Sequence, residues 1–196
     1  MLLTESSSLY RKIKMQISSL SVSPLEVSFF VYMQIAENAE LWKGNESAML
    51  HDSPEGGTKT LGFGYKLNVL EQQTQQVRGF GIAEYDIERA RRLLNLSLVE
   101  TKHSLAKEFP QHWYKLTQRQ QEMLVCMQYN LGSVRAKFPK FTEAVLKDDI
   151  ETQRREYKRY YMNEKGNWKE TEERNRLFFE RYLSDEALAH WGVDAA

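Results

Sequence analysis

The sequence predicts an α+β chain dominated by helix. Three observations carry that prediction. Most of the chain repeats apolar residues at helical spacing, several of these runs open on a capping signature, and one short stretch, Thr58 to Leu67, alternates instead.

The elements follow in order. Residues 1–22 are Ser-rich and weakly patterned, with only Leu9, Ile13 and Ile17 four apart, and read as an N-terminal appendage to a domain spanning 23–196. Ser23-Pro24-Leu25-Glu26 has the form of a capping box with proline at the first helical position. Leu25, Phe29, Tyr32 and Ala36 continue it at helical spacing, and Val27, Phe30, Val31 and Ile35 fill other faces, so a deeply buried helix ending near Glu37 is expected. Residues 43–57 carry turn chemistry, KGNES and then DSPEGG. From Thr58 to Leu67 one strand is expected, with Lys59, Leu61, Phe63 and Tyr65 on one face and Thr58, Thr60, Gly62 and Gly64 on the other, nearly bare one. A bare face admits a ligand or another part of the chain. Gly79-Phe80-Gly81 reads as a turn before a helix over Ile82–Ala106. Leu116–Leu131 is expected to be the next helix, opened by the capping box Thr117 to Gln120. Three more helices are expected over 141–148, 150–162 and 171–190. One small sheet is expected among many helices.

Composition narrows the function. The 27 Lys+Arg balance the 27 Asp+Glu, so nothing draws the chain globally to nucleic acid. The single cysteine, Cys126, excludes an internal disulfide; it lies among apolar residues and reads as a small buried hydrophobe. The four histidines are scattered, so neither a metal site nor a cofactor is expected. No run is long and apolar enough to span a membrane, and the N-terminus lacks the form of a signal peptide. Synthesis in the cytoplasm is therefore expected.

The segment from Glu37 to Tyr65 concentrates the chemistry. Glu37 follows a buried apolar run. Asp52 and Glu55 flank a Ser-Pro turn, and Thr60 lies on the bare strand face. Two-carboxylate hydrolases need one acid to protonate a leaving group and a second to activate water. Spacing alone leaves Glu40 and Glu46 open beside Glu37 as the acid, and Glu55 open beside Asp52 as the second carboxylate. Arg174 and Arg176 lie in a charge-laced helical stretch, where one of them could reach the acid end of the first helix. Trp113, Trp168, Trp191, Tyr157, Tyr160 and Tyr161 read chiefly as core, with room for one or two to stack on sugars.

This order of residues resembles the active-site segment of the phage-type lysozymes, a family that includes T-even phage lysozymes, phage endolysins and pesticin-like toxins. The matching pieces are Glu at a helix end, Asp in a turn with Glu-Gly, and Thr60-Leu61-Gly62-Phe63-Gly64-Tyr65. Further on, Tyr129-Asn130-Leu131-Gly132 and Arg174-Asn175-Arg176 with Glu180 match, so the likeness covers most of 25–183. It implies a bilobed lysozyme-like fold, with a small β lobe over about 37–80 and a helical lobe over about 81–190. It also implies a muramidase acting on the glycan strands of peptidoglycan. Glu37 would be the general acid, Asp52 would hold the attacking water with Thr60, Asn130 would line the cleft, and Arg174 or Arg176 would pair near Glu37. The implied setting is a phage lysis protein or a delivered antibacterial effector, reaching the wall through lysis or a secretion-system carrier, and a delivered toxin would have a cognate immunity protein. A non-catalytic glycan- or partner-binding module and a chitosanase-like hydrolase are the alternatives. The sequence departs from the family in two spacings and two residues. The Glu37–Asp52 and Asp52–Thr60 spacings are long, Asn38 stands where the family has Gly, and Tyr65 stands where it has His.

Overall fold

The computed structural model describes residues 24–45, 48–52, 59–163 and 165–193. The N-terminal appendage, Ser23 of the capping signature, Glu46 and Glu55 lie outside the described residues. The first helix, α1 (Pro24–Glu37), is followed by the single turn α2 (Ala39–Trp42). The small sheet is β1 (Leu50–Asp52), β2 (Lys59–Leu61) and β3 (Tyr65–Lys66), antiparallel throughout in the order β1-β2-β3. α3 (Val69–Thr74) and a two-stranded ribbon of β4 (Gln76–Val77) and β5 (Phe80–Gly81) lead to the long α4 (Ile87–Glu108). Then come α5 (Gln118–Leu131), α6 (Val134–Lys137), α7 (Pro139–Lys147) and α8 (Ile150–Glu156). A hairpin of β6 (Tyr160–Met162) and β7 (Trp168–Glu170) separates these from α9 (Glu172–Tyr182) and α10 (Asp185–Trp191). The α+β class dominated by helix is as the sequence predicts.

Four expectations about elements are corrected. Of the stretch Thr58–Leu67, Thr58 lies outside the described residues, and 59–67 are not one strand: Gly62 and Gly64, at φ +59° and +79°, turn the chain so that β2 and β3 pair with each other. Helix 150–162 stops at Glu156, and its aromatic end becomes β6, paired Met162 to Trp168. The expected 171–190 helix breaks at Leu183, where Ser184 caps α10 by accepting a hydrogen bond from the Ala187 amide. The sheet is also not alone, because two further hairpins stand beside it.

Two apolar clusters organise the molecule. The smaller gathers Leu61, Leu67, Val77, Ile82, Tyr85 and Leu93, so the β elements pack on the first turns of α4. The larger is built around α5, in which Met123 to Met127 are fully buried without a break. A helix apolar on every side belongs in a centre. Its start is the predicted capping box: the Thr117 hydroxyl accepts from the Gln120 amide while Gln120 accepts from Thr117. At about 1.5 Å per residue, the 22-residue α4 runs roughly 33 Å and carries both clusters, Leu93 on one and Leu94 and Leu98 on the other.

Candidate active site

Glu37 is the last residue of α1, and its side chain is 2% exposed. Three neighbours hold it. The Asn130 amide donates to Oε1 at 2.8 Å, and Arg174 Nη2 donates to Oε2 at 3.0 Å. Arg174 Nη1 donates to Asn130 Oδ1, which closes a triangle, and its Nε donates to the Ala36 carbonyl at 3.2 Å. The third neighbour is Gly64, where an added Cβ would lie 2.6 Å from Glu37 Oε2. The bare face read from the sequence is therefore occupied by the carboxylate itself.

Local structure explains why this end of α1 stays in place. Asn38 Oδ1 accepts from the Leu41 amide, starting α2, while its Nδ2 donates to the Gly62 carbonyl at 2.9 Å and the Ala48 carbonyl at 3.2 Å. The residue after the acid thus clamps the helix end to the hairpin, a role that a glycine could not play. The length between Glu37 and Asp52 is taken up by α2 and its exit turn. Tyr129, beside Asn130, donates its hydroxyl to the Phe63 carbonyl at 2.7 Å and fixes the hairpin from the helical side. Burial pushes the Tyr129 hydroxyl pKa well up, and the nearby Glu37 adds to the effect. Tyr65 donates to Glu71 at 2.8 Å, and its pKa is pushed up to about 12, first by desolvation and then by that hydrogen bond.

The other sequence-derived residues are placed as follows. Thr60 is 5% exposed, and its hydroxyl has no partner among the described residues. Asp52 pairs across the sheet with Lys59, while Thr60 pairs with His51, so Asp52 and Thr60 point to opposite faces. Asp52 makes an exposed ion pair with Lys59 Nζ at 2.6 Å. Arg176 turns outward and pairs with Glu173 and Glu180, each at 2.6 Å, so of the two arginines it is Arg174 that meets Glu37. Glu40 is likewise outward, held by Lys43 at 2.7 Å. Cys126 is fully buried with its thiol pKa raised by desolvation, a structural position rather than that of a nucleophile.

A cleft of about 1320 Å³ opens over this arrangement, with Gly64 and Asn130, two of the groups around Glu37, in its wall. Tyr160, Met162 and Trp168 of the β6–β7 hairpin form the far side. Reading Trp168 and Tyr160 as core is thereby corrected, for they are 66% and 49% exposed; Trp113 and Tyr157 are core. Sequence reasoning missed Asn38, Gly64 and Tyr129. The signals were there, in a polar residue where the family has Gly, a GxG after Thr60, and a tyrosine next to Asn130.

A helix-end carboxylate is thus fixed by an amide and a guanidinium beside a wide cleft that meets both the small sheet and the helical body. The phage lysozyme family model matches residues 40–176, and the chain belongs to that family. The family acts on peptidoglycan. No curated protein and no solved structure matches the chain. Among the described residues no helix is long and apolar enough to cross a membrane, and no cluster of His, Cys, Asp and Glu could hold a metal.

Proposed function

We propose that the protein is a muramidase that cleaves the glycan strands of bacterial peptidoglycan, with Glu37 as general acid. The observation that carries this reading is the Glu37–Asn130–Arg174 triangle at the cleft. Asn130 and Arg174 fix the carboxyl directly behind Gly64 and Asn130 of the cleft wall, and we assign it to the glycosidic oxygen of a strand bound there. The buried Thr60 hydroxyl, without a partner among the described residues, is suited to a water, and we assign water activation to Asp52, at the end of β1, or to Glu55, three residues further along the sequence. The Asp52–Lys59 pair stands on open surface, where such pairs contribute about 0–1 kcal/mol, so Asp52 is released at little cost. As a phage lysis protein or a delivered effector, the chain meets its substrate after release or transfer to the wall, and a cognate inhibitor would act by covering the cleft.

The test is release of reducing ends from purified peptidoglycan. Glu37→Gln is expected to lower the rate by about 10²–10⁴-fold while circular dichroism and thermal unfolding stay near wild type. Asp52→Asn against Glu55→Gln then assigns the second carboxylate. A fully active Glu37→Gln would remove the assignment. A non-catalytic glycan-binding module is the second reading, favoured by the opposite faces of Asp52 and Thr60; wild type that binds strands and releases no ends at any pH would establish it. Product analysis on chitosan against peptidoglycan separates out a chitosanase-like specificity.

A further inference from the structure

The β6–β7 hairpin exposes apolar side chains where burial would be expected. Tyr160 and Met162 stand two apart on β6, and Met162 pairs with Trp168, so these three share one face of the ribbon. They are 49%, 50% and 66% exposed, and all three border the cleft that also meets Gly64 and Asn130.

This face is held rigidly in relation to the acid. Asn175, 2% exposed, accepts from the Arg159 amide at 3.0 Å and donates to the Arg159 carbonyl and to Glu170, each at 3.1 Å. Arg159 Nη2 in turn donates to the Arg174 carbonyl at 2.7 Å. The residue that anchors the hairpin base is thus the chain neighbour of the one that grips Glu37. At the tip, Asn163 Oδ1 accepts from the amides of Lys165 and Asn167 at 3.0 and 2.9 Å, which closes the turn from within. The hairpin is an arm fixed to α9, the helix that carries Arg174.

We infer that the Tyr160–Met162–Trp168 face is a sugar-binding subsite, in which a pyranose ring of the glycan strand lies on the Trp168 indole away from the bond being cut. The inference rests on the glycan-hydrolase reading of the same cleft. An indole face suits the C–H face of a sugar, because it buries apolar area while the ring hydroxyls stay wet. Lys137 stands in the cleft wall, complementary to the carboxylates that peptidoglycan carries along its strand, while Lys158 beside it is paired with Glu170 at 3.3 Å.

Trp168 reports on its own ligand, since Trp113 is buried and Trp42 and Trp191 are only partly exposed. The experiment titrates Glu37→Gln protein with tetra-N-acetylchitotetraose and with purified glycan strands, following tryptophan fluorescence and, for variants, calorimetry. The expected result is a fluorescence change that Trp168→Ala abolishes, with binding weakened about five- to tenfold by Trp168→Ala and less by Trp168→Phe, which keeps an aromatic face. In the otherwise wild-type enzyme the loss falls on KM rather than kcat. Binding and KM unchanged in both Trp168→Ala and Tyr160→Ala would overturn the inference, and with hydrolysis intact the muramidase reading would survive. If wild type released no reducing ends yet Trp168→Ala still lost binding, the subsite would stand and the hydrolytic reading would fall.

Discussion

At the scale of single residues, the site depends on Gly64 as much as on the acid. Its φ of +79° is costly for other residues, and a Cβ there would stand 2.6 Å from Glu37 Oε2. Gly64→Ala should therefore push the carboxyl off Asn130 and Arg174. The expected outcome is an activity loss of at least about 10²-fold, of the size seen when a reacting group is misplaced by about 1 Å. Backbone strain adds about 1–3 kcal/mol of destabilisation, read by urea titration. Unchanged turnover would mean that Glu37 does not act from this position. That an acid stands at the end of α1 was legible from the apolar run before it, and the ion pair with Lys43 shows Glu40 turned outward. Arg174 against Arg176 was not legible. Two positions along a helix point about 200° apart, and no local pattern says which of them faces α1.

At the scale of elements, β3 is tied to α3 through Tyr65 and Glu71, with Asn68 and Glu71 forming a reciprocal cap at the helix start. Tyr65 occupies the family's His position and behaves differently with pH. Its folded pKa lies at about 12 against 10.0 for an ordinary tyrosine, so the fold favours the neutral phenol. That contribution is complete below pH about 10 and is lost as pH climbs through about 12. Tyr65→Phe should lower the denaturant midpoint below that window, and the gap to wild type should close within it; a constant gap up to pH about 12 would show that Tyr65 contributes no proton linkage. Elements with strong punctuation were legible, as Thr117–Gln120 shows. The β6–β7 hairpin was not. Its strands are three residues each, too short for alternation to stand out, and Tyr157 to Met162 is as aromatic as a helix core. The tertiary anchor at Asn175 decides their conformation.

At the scale of the molecule, the helical body is cross-braced by buried charge. Glu122 of α5 accepts from Arg181 at 2.8 Å and from the Tyr182 hydroxyl at 3.2 Å, and Arg181 also reaches Ser28 of α1 at 3.2 Å. Arg181→Met strands the Glu122 carboxylate, and a loss of about 3–5 kcal/mol is expected in chemical denaturation. Arg181→Met with Glu122→Met should recover most of it, because the cost lies in the unpaired charge rather than in missing attraction. Additive losses would refute that account.

The distance along the chain between Glu37 and its guanidinium, 137 positions, also sets a clock. At about 5–20 residues per second, a ribosome delivers Arg174 on the order of ten seconds after Glu37. Until then the acid has neither its clamp nor the α9 surface that carries it. A chain that ends before α9 therefore lacks the clamp on Glu37, and the proposed hydrolytic competence arrives only near the end of synthesis.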